Sequence, residues 1–193
     1  IALLACSHIG YFMYVRLHQR ALDIVQFSIV LQSLLTFVTM LVRRPPVRIT
    51  VNPWYWLVAL LATYWVPFPA LERSPGIPLV PPWLTVVLAC LGLVLTAYAR
   101  LSLGRNIGYV PAQRELVTRG AYAFVRHPIY TAIFVNYLAL ILLHYSPLHL
   151  ILVCIGIFWY VLRSILEEKF LALDPRYAEY MLRVRRRWIP GLV

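Results

Sequence analysis

Two clusters of polar residues lie at the ends of apolar segments, and their residue types could bind and position a charged small molecule. In the first cluster, segment 116–130, Arg126 and His127 stand just before an apolar run. In the second, Arg163 and Glu167 lie one helical turn apart and therefore share a helix face. A guanidinium can hold a carboxylate through two hydrogen bonds, and a histidine can transfer protons near neutral pH. Because ionisable groups are costly at membrane depth, both clusters are candidate functional sites.

The composition indicates an integral membrane protein of a single domain. Of the 193 residues, 62% are hydrophobic and 13% are charged, whereas a soluble domain is about half apolar and about a quarter charged. In a membrane protein, a net charge of +11 usually reflects basic residues that set the orientation in the bilayer and attract anionic lipid. It therefore does not indicate nucleic-acid binding. The three cysteines fall in different apolar segments and form no metal-ligand pattern, so we predict no metal site.

Six apolar segments are candidate membrane-spanning helices. They are 1–15, 21–42, 53–68, 83–103, 128–145 and 149–171. A span needs about 20 residues, so the short first segment leaves a five-span bundle open. In lipid, only helices and closed β-barrels can form all of their backbone hydrogen bonds internally. The sequence shows no alternating pattern of the kind that barrel strands have. It therefore predicts an all-α polytopic membrane bundle. Only Ser146 and Pro147 join the last two segments, which predicts a C-terminal helical hairpin.

The distribution of arginine predicts the orientation in the membrane. Arginines are concentrated in three parts of the chain, 43–48, 100–126 and 176–187. Under the positive-inside rule these parts, both termini and both polar clusters face the cytoplasm. The second apolar segment also contains Asp23, Gln26 and Gln32, which predicts that one of its faces contacts protein.

Beyond Pro175 the pattern predicts an amphipathic helix over 176–187. Its apolar face consists of Tyr177, Tyr180, Met181 and Val184. A basic helix of this kind usually lies in the membrane interface, and this one could also cover a pocket.

The ordered motifs resemble those of the isoprenylcysteine carboxyl methyltransferase family and its phospholipid-methyltransferase relatives. The matching parts are 103–106, 116–122, 126–130, the group Arg163, Glu167 and Glu168, and the C-terminal 187–190. The resemblance covers about 83–193. We therefore divide the single domain, 1–193, into N-terminal spans without a recognised motif, 1–80, and a family-like catalytic half, 81–193.

This resemblance implies methyl transfer from S-adenosylmethionine to a membrane-embedded acceptor. The implied cofactor-binding residues are Arg114, Glu115, Leu116, Val117, Tyr122, His127, Pro128, Ile129, Tyr130 and Glu167. The implied catalytic residues are Arg163, Glu167 and His127, with Arg163 also assigned to the acceptor. The residue types suit the cofactor, since Glu167 can bind an ammonium group and tyrosine rings can contact a sulfonium cation.

Several acceptors and one different enzyme class stay open on the sequence. The first choice is the carboxylate of a prenylated cysteine or an analogue, which requires no general base because it is already ionised. A phospholipid amine would first have to lose a proton, with His127 or Glu168 as the base. An NADPH-dependent sterol or enone reductase also has an Arg-His-Pro-like segment before a helical hairpin, and a non-catalytic membrane scaffold is a further alternative. Glu168 is interpreted as solvated, and the oligomeric state is left open.

Overall fold

The computed structural model describes residues 24–66, 69 and 76–189. The helices are α1 (Ile24–Leu41), α2 (Pro53–Trp65), α3 (Pro82–Leu103), α4 (Pro128–Leu143), α5 (Pro147–Leu171) and α6 (Pro175–Arg183). The two short strands are β1 (Arg48–Ile49) and β2 (Ala112–Gln113), and two 3-10 turns cover Gly104–Asn106 and Gly120–Ala123. These elements confirm a mostly helical protein. The first predicted span, 1–15, lies outside the described residues, so the number of spans stays a prediction.

Two helical segments in the described part of the chain are long and apolar enough to cross a bilayer. Pro82–Asn106 and Pro147–Leu171 each have 25 residues and reach a mean hydropathy of 2.0. Between them in sequence, α4 is a shorter apolar helix of 16 residues. Large apolar side chains on the outer faces, such as Val94 and Phe158, are more than half exposed. Such outward-facing side chains suit contact with lipid.

Proline and polar capping residues set where the helices begin. Each helix from α2 to α6 has proline in its first turn, where the missing N–H costs nothing and the fixed φ angle is already helical. The side chains of Asn52, Ser146 and Asp174 cap α2, α5 and α6 by accepting a backbone N–H. Ser146 therefore ends the short connection between α4 and α5, as the predicted hairpin requires.

The bundle core forms where α3 packs along α4, with α1 against both and α2 against α5. At the crossing of α3 and α4, the Asn136 side chain fills the space beside Gly92. Asn136 donates a 2.8 Å hydrogen bond to the carbonyl of Ala132 and accepts a 3.1 Å bond from Ser28 on α1. A Cβ atom at position 92 would lie 2.2 Å from Nδ2 of Asn136. Gly92 is therefore required for the close approach of α4.

We expect Gly92→Ala to lower the stability of the bundle. The added methyl group must displace Asn136 from its buried hydrogen bonds, and overpacking of this kind costs about 1–3 kcal/mol. The measurement is the thermal midpoint of the purified protein in detergent. Val94→Ala, on the exposed face of the same helix, is the control and should leave the midpoint nearly unchanged. Equal midpoints for Gly92→Ala and wild type would contradict this account of the packing.

Two chain segments pack over the helical bundle: the connection between α3 and α4, which the β1–β2 ladder holds in place, and the C-terminal segment that follows α6. The strands pair antiparallel, with Arg48 opposite Gln113 and Ile49 opposite Ala112, and this ladder anchors the connection that leads to α4. The prediction for the C-terminal helix is wrong in length, because α6 ends at Arg183. The residues after it turn away and form backbone hydrogen bonds with residues 126–127, which a continuing helix could not do.

Candidate active site

A cavity of about 260 Å³ lies between the connection that follows α3 and the helices of the bundle. Small-molecule sites in proteins usually span about 300–1,000 Å³, so this cavity is slightly smaller than that range. The sequence-predicted residues that line it are Arg114, Glu115, Leu116, Val117, Tyr122, His127, Ile129, Tyr130, Arg163 and Glu167. Pro128, buried at the start of α4, does not line it. The fold thus brings the two distant sequence clusters to one cavity.

The Glu167 carboxylate is held in one orientation from two helices. Its Oε1 accepts a 2.9 Å hydrogen bond from Nε of Arg163, one turn earlier on α5. Its Oε2 accepts a 2.7 Å bond from the Tyr130 hydroxyl in the first turn of α4. Nδ1 of His127 lies 3.9 Å from the same Oε2. The carboxylate is therefore a fixed negative charge on the cavity wall.

The Arg163 guanidinium connects α5 to α2 and to the connection after α3. Nη1 donates a 2.7 Å hydrogen bond to the Thr63 hydroxyl, and Nη2 donates a 2.7 Å bond to the carbonyl of Tyr109. With Nε bonded to Glu167, all three nitrogens have protein partners. Arg163 is buried, and its Cζ lies 5.5 Å from the centre of the Tyr130 ring. The contact of Arg163 with an acceptor stays a prediction; what the geometry shows is an arginine that organises the cavity wall.

Glu168 is the centre of a buried ion cluster, so its interpretation as a solvated residue is wrong. It accepts hydrogen bonds from Nε and Nη2 of Arg126 at 2.7 and 3.3 Å and from Nε of Arg187 at 2.8 Å. Nε2 of His127 lies 3.1 Å from its Oε1. Only 2% of Glu168 is exposed. Adjacent helical residues differ in direction by about 100°, so Glu168 faces the C-terminal segment while Glu167 faces the cavity.

The C-terminal segment is fixed to the start of α4 by this cluster and by its own backbone. The amides of Arg126 and His127 donate to the carbonyls of Arg186 and Arg187 at 2.9 and 2.8 Å. Nη1 of Arg126 also donates to the carbonyl of Val184 at 2.7 Å. His127 in turn stacks on the Tyr130 ring at 5.0 Å between centroids. The C-terminal segment thereby holds the Arg-His motif in the position from which His127 reaches the cavity.

Tyrosines and arginines of the covering segments complete the wall. The Tyr180 hydroxyl on α6 donates a 2.7 Å hydrogen bond to the carbonyl of Tyr122. Burial raises the pKa of Tyr122 well above its usual value, so its phenol stays neutral. Burial lowers the pKa of Arg114, and nearby Arg43 acts in the same direction, yet a guanidinium remains charged at neutral pH. Glu115 is largely exposed and pairs with Arg44 at the rim.

Sequence reasoning missed the wall residues contributed by the N-terminal half and by α3. They include the polar residues Gln32, Thr36, Thr63, Thr96 and Arg100. The sequence does predict a protein-facing side for the second apolar segment, and the burial of Gln32 agrees with it; Asp23 lies outside the described residues. The arginine distribution places Arg100 with the residues of the following loop, but it lies in the last turn of α3. A charged residue within an apolar run was the available signal for it.

Fold and site together define a helical membrane protein with a cavity that is lined by charged and aromatic side chains. Residues 80–174 match the family model described as phospholipid methyltransferase. No curated protein matches the chain significantly. The matched part is just under half of the chain and contains α3, α4 and α5, which carry both motif clusters. This match confirms the predicted resemblance to the phospholipid methyltransferase family and indicates a membrane methyltransferase.

Proposed function

We propose that this membrane methyltransferase uses S-adenosylmethionine to methylate the carboxylate of a membrane-embedded lipidic acceptor, such as a prenylated cysteine or an analogue. The observation that carries the proposal is the Glu167 carboxylate, fixed by Arg163 and Tyr130 on the wall of a cavity between apolar helices. The family match supports methyl transfer and gives no comparable support to the reductase or scaffold alternatives.

The residues of the cavity fit S-adenosylmethionine by their chemistry. Glu167 would bind the ammonium group, and the charged Arg114 suits the cofactor carboxylate. The neutral phenol rings of Tyr122 and Tyr130 offer faces to the sulfonium, a contact worth about 0.5–2 kcal/mol. Leu116 and Ile129 supply apolar surface for the adenine. When bound, the cofactor supplies an electrophilic methyl group on a positively charged sulfur, which becomes a neutral thioether once the methyl group has left.

A carboxylate acceptor would need no general base in the site. An α-carboxyl group has a pKa of about 3.5 and is ionised at neutral pH, so its oxygen can take the methyl group without losing a proton. The protein then has to align the reactants and exclude water, effects worth about 7–11 kcal/mol in well-arranged sites. His127 is already engaged by Glu168, which fits a positioning role better than proton transfer.

A phospholipid amine is the second candidate acceptor, favoured by the description of the matching family. Methylation of an ammonium group requires that one proton leaves first, and Glu167 or His127 would have to take it. For either acceptor we propose that the lipid enters from the bilayer and the cofactor from the cytoplasm. The arginine-rich segments around the cavity support this orientation.

The proposal is tested by transfer of a labelled methyl group from S-adenosylmethionine by the purified protein. The acceptors are a farnesylated cysteine analogue and, separately, a membrane lipid extract. Base-labile label on the cysteine analogue would support a carboxyl methyl ester. Label only in lipid would move the acceptor to a phospholipid headgroup. No transfer, together with thermal stabilisation by NADPH and none by S-adenosylhomocysteine, would overturn the proposal in favour of a reductase.

We expect Tyr130→Phe to weaken S-adenosylhomocysteine binding about 10-fold. The substitution keeps the ring that packs beside Arg163 and removes only the hydroxyl that orients Glu167. A hydrogen bond to a charged group contributes about 1.5–3 kcal/mol. Part of this energy should be lost from the binding free energy of S-adenosylhomocysteine when the Tyr130 hydroxyl is removed. The check is calorimetric titration, with Tyr98→Phe on the outer face of α3 as the control. Identical affinities for Tyr130→Phe and wild type would show that the Tyr130 hydroxyl does not contribute to cofactor binding.

A further inference from the structure

A second polar cluster lies on the cavity wall, away from the family motifs. Arg100 on α3 donates a 3.0 Å hydrogen bond from Nη1 to the Thr39 hydroxyl of α1, and Nη2 donates to the Thr36 hydroxyl. One turn before Arg100, the Thr96 hydroxyl donates a 3.1 Å bond to Oε1 of Gln32. All of these residues except Thr39 line the cavity.

Arg100 has no carboxylate partner among the described residues. Each described carboxylate pairs with a different arginine: Glu115 with Arg44, Glu167 with Arg163, Glu168 with Arg126 and Arg187, Asp174 with Arg176, and Glu179 with Arg183. Nε of Arg100 is buried and has no hydrogen-bond partner among the side chains and backbone groups that the structure describes, and the same is true of Nε2 of Gln32. Within the described part of the chain, the cluster therefore contains two buried donors without acceptors.

The acceptors that Arg100 does have are neutral. The hydroxyls of Thr36 and Thr39 donate their protons to the carbonyls of Gln32 and Leu35, each at 2.7 Å, so they turn lone pairs toward the guanidinium. Neutral oxygens satisfy some of the N–H groups but do not balance the positive charge. A cation within a helical bundle is costly unless a counter-charge approaches it. A guanidinium presents its donors in a fork that matches a carboxylate or a phosphate.

We propose that Arg100, together with Gln32, binds the anionic group of the lipidic acceptor. This inference rests on the proposed function and deepens it, because it separates an acceptor-anion site on α1 and α3 from the cofactor residues of 114–130 and Glu167. Arg163 has protein partners at every nitrogen, whereas Arg100 keeps donors for a ligand. The position of Arg100 in the last turn of an apolar span corresponds to the depth at which lipid headgroups meet the hydrocarbon.

Arg100→Gln and Arg100→Lys test the proposal through binding, so the result does not depend on turnover. The probes are a farnesylated cysteine analogue, its neutral carboxamide, and a phospholipid with a single phosphate. Wild type should bind one anionic probe, carboxylate or phosphate, about 10- to 100-fold more tightly than the carboxamide. Arg100→Gln should lose that preference, and Arg100→Lys should keep part of it. S-adenosylhomocysteine affinity should stay within about twofold of wild type in both variants.

Arg105→Gln is the matched control, since its guanidinium bonds the carbonyl of Val42 outside the cavity. If Arg100→Gln does not fold, Gln32→Met takes its place, with a smaller loss of the same preference expected. An equal loss of S-adenosylhomocysteine affinity would assign Arg100 to the cofactor carboxylate and overturn the proposal. A wild type that binds the carboxamide as tightly as the anionic probes would also overturn it. Failure of the proposed function shows itself differently, as absence of S-adenosylhomocysteine binding in wild type.

Discussion

Glu167→Gln is expected to weaken S-adenosylhomocysteine binding by about 100-fold while the protein keeps its fold. The substitution removes the negative charge that would bind the ligand ammonium, and a charge-assisted hydrogen bond is worth about 1.5–3 kcal/mol. A glutamine oxygen can still accept from Arg163 or Tyr130, and Arg163 retains its bonds to Thr63 and Tyr109. The wall should therefore stay in place without its charge.

The measurement for Glu167→Gln combines calorimetric titration of S-adenosylhomocysteine with thermal unfolding in detergent. Glu179→Gln on α6 is the matched control, because Glu179 also pairs with an arginine one turn away but lies exposed at the surface. The control should retain wild-type affinity and stability. Unchanged affinity in Glu167→Gln would remove Glu167 from the cofactor site. A large fall in its thermal midpoint would instead assign the residue to the fold.

Glu168→Gln is expected to lower the free energy of unfolding by about 3–5 kcal/mol. It thus differs from Glu167→Gln, which should lose ligand affinity and keep its stability. The side chain of Glu168 is 3% exposed and neutralises the Arg126 side chain, which is 7% exposed, while also bonding Arg187. Replacing the carboxylate by an amide leaves a buried guanidinium without its counter-charge. The C-terminal segment should then be held less firmly at the start of α4, because Glu168 bonds Arg187 and also positions Arg126, which bonds the carbonyl of Val184.

Two readouts separate this outcome from a local effect. Thermal unfolding reports the loss of stability, and limited trypsin digestion at the arginines of 185–187 reports whether the segment that carries them is held against the protein. Glu168→Gln should be cut there faster than wild type, whereas Glu179→Gln should be cut at the wild-type rate. A free energy of unfolding within about 0.5 kcal/mol of wild type would show that the ion cluster contributes little to the fold. The ion pairs of Glu168 would then contribute as little as exposed surface pairs do, despite their burial.

The pair Glu167 and Glu168 shows where sequence reasoning ends. Both glutamates follow Arg163 on one predicted helix, and helical spacing places Glu167 on the same face as Arg163. Spacing alone does not say which face meets a cavity and which meets another segment. The partners of Glu168 come from residues 126–127 and from the C-terminus, both far away in sequence. Only the packing of these segments makes one glutamate a wall residue and its neighbour an anchor.

The sequence by itself determined the class of protein and the motif clusters, because these depend on local properties. Apolar composition indicates membrane helices, proline marks where they begin, and the Arg-His-Pro segment carries the family resemblance. The tertiary structure decided which charges are balanced. Whether Arg100 has a carboxylate partner depends on contacts between α1 and α3, and the end of α6 at Arg183 depends on backbone bonds to 126–127. Such contacts join residues distant in the chain, and periodicity along one segment carries no information about them.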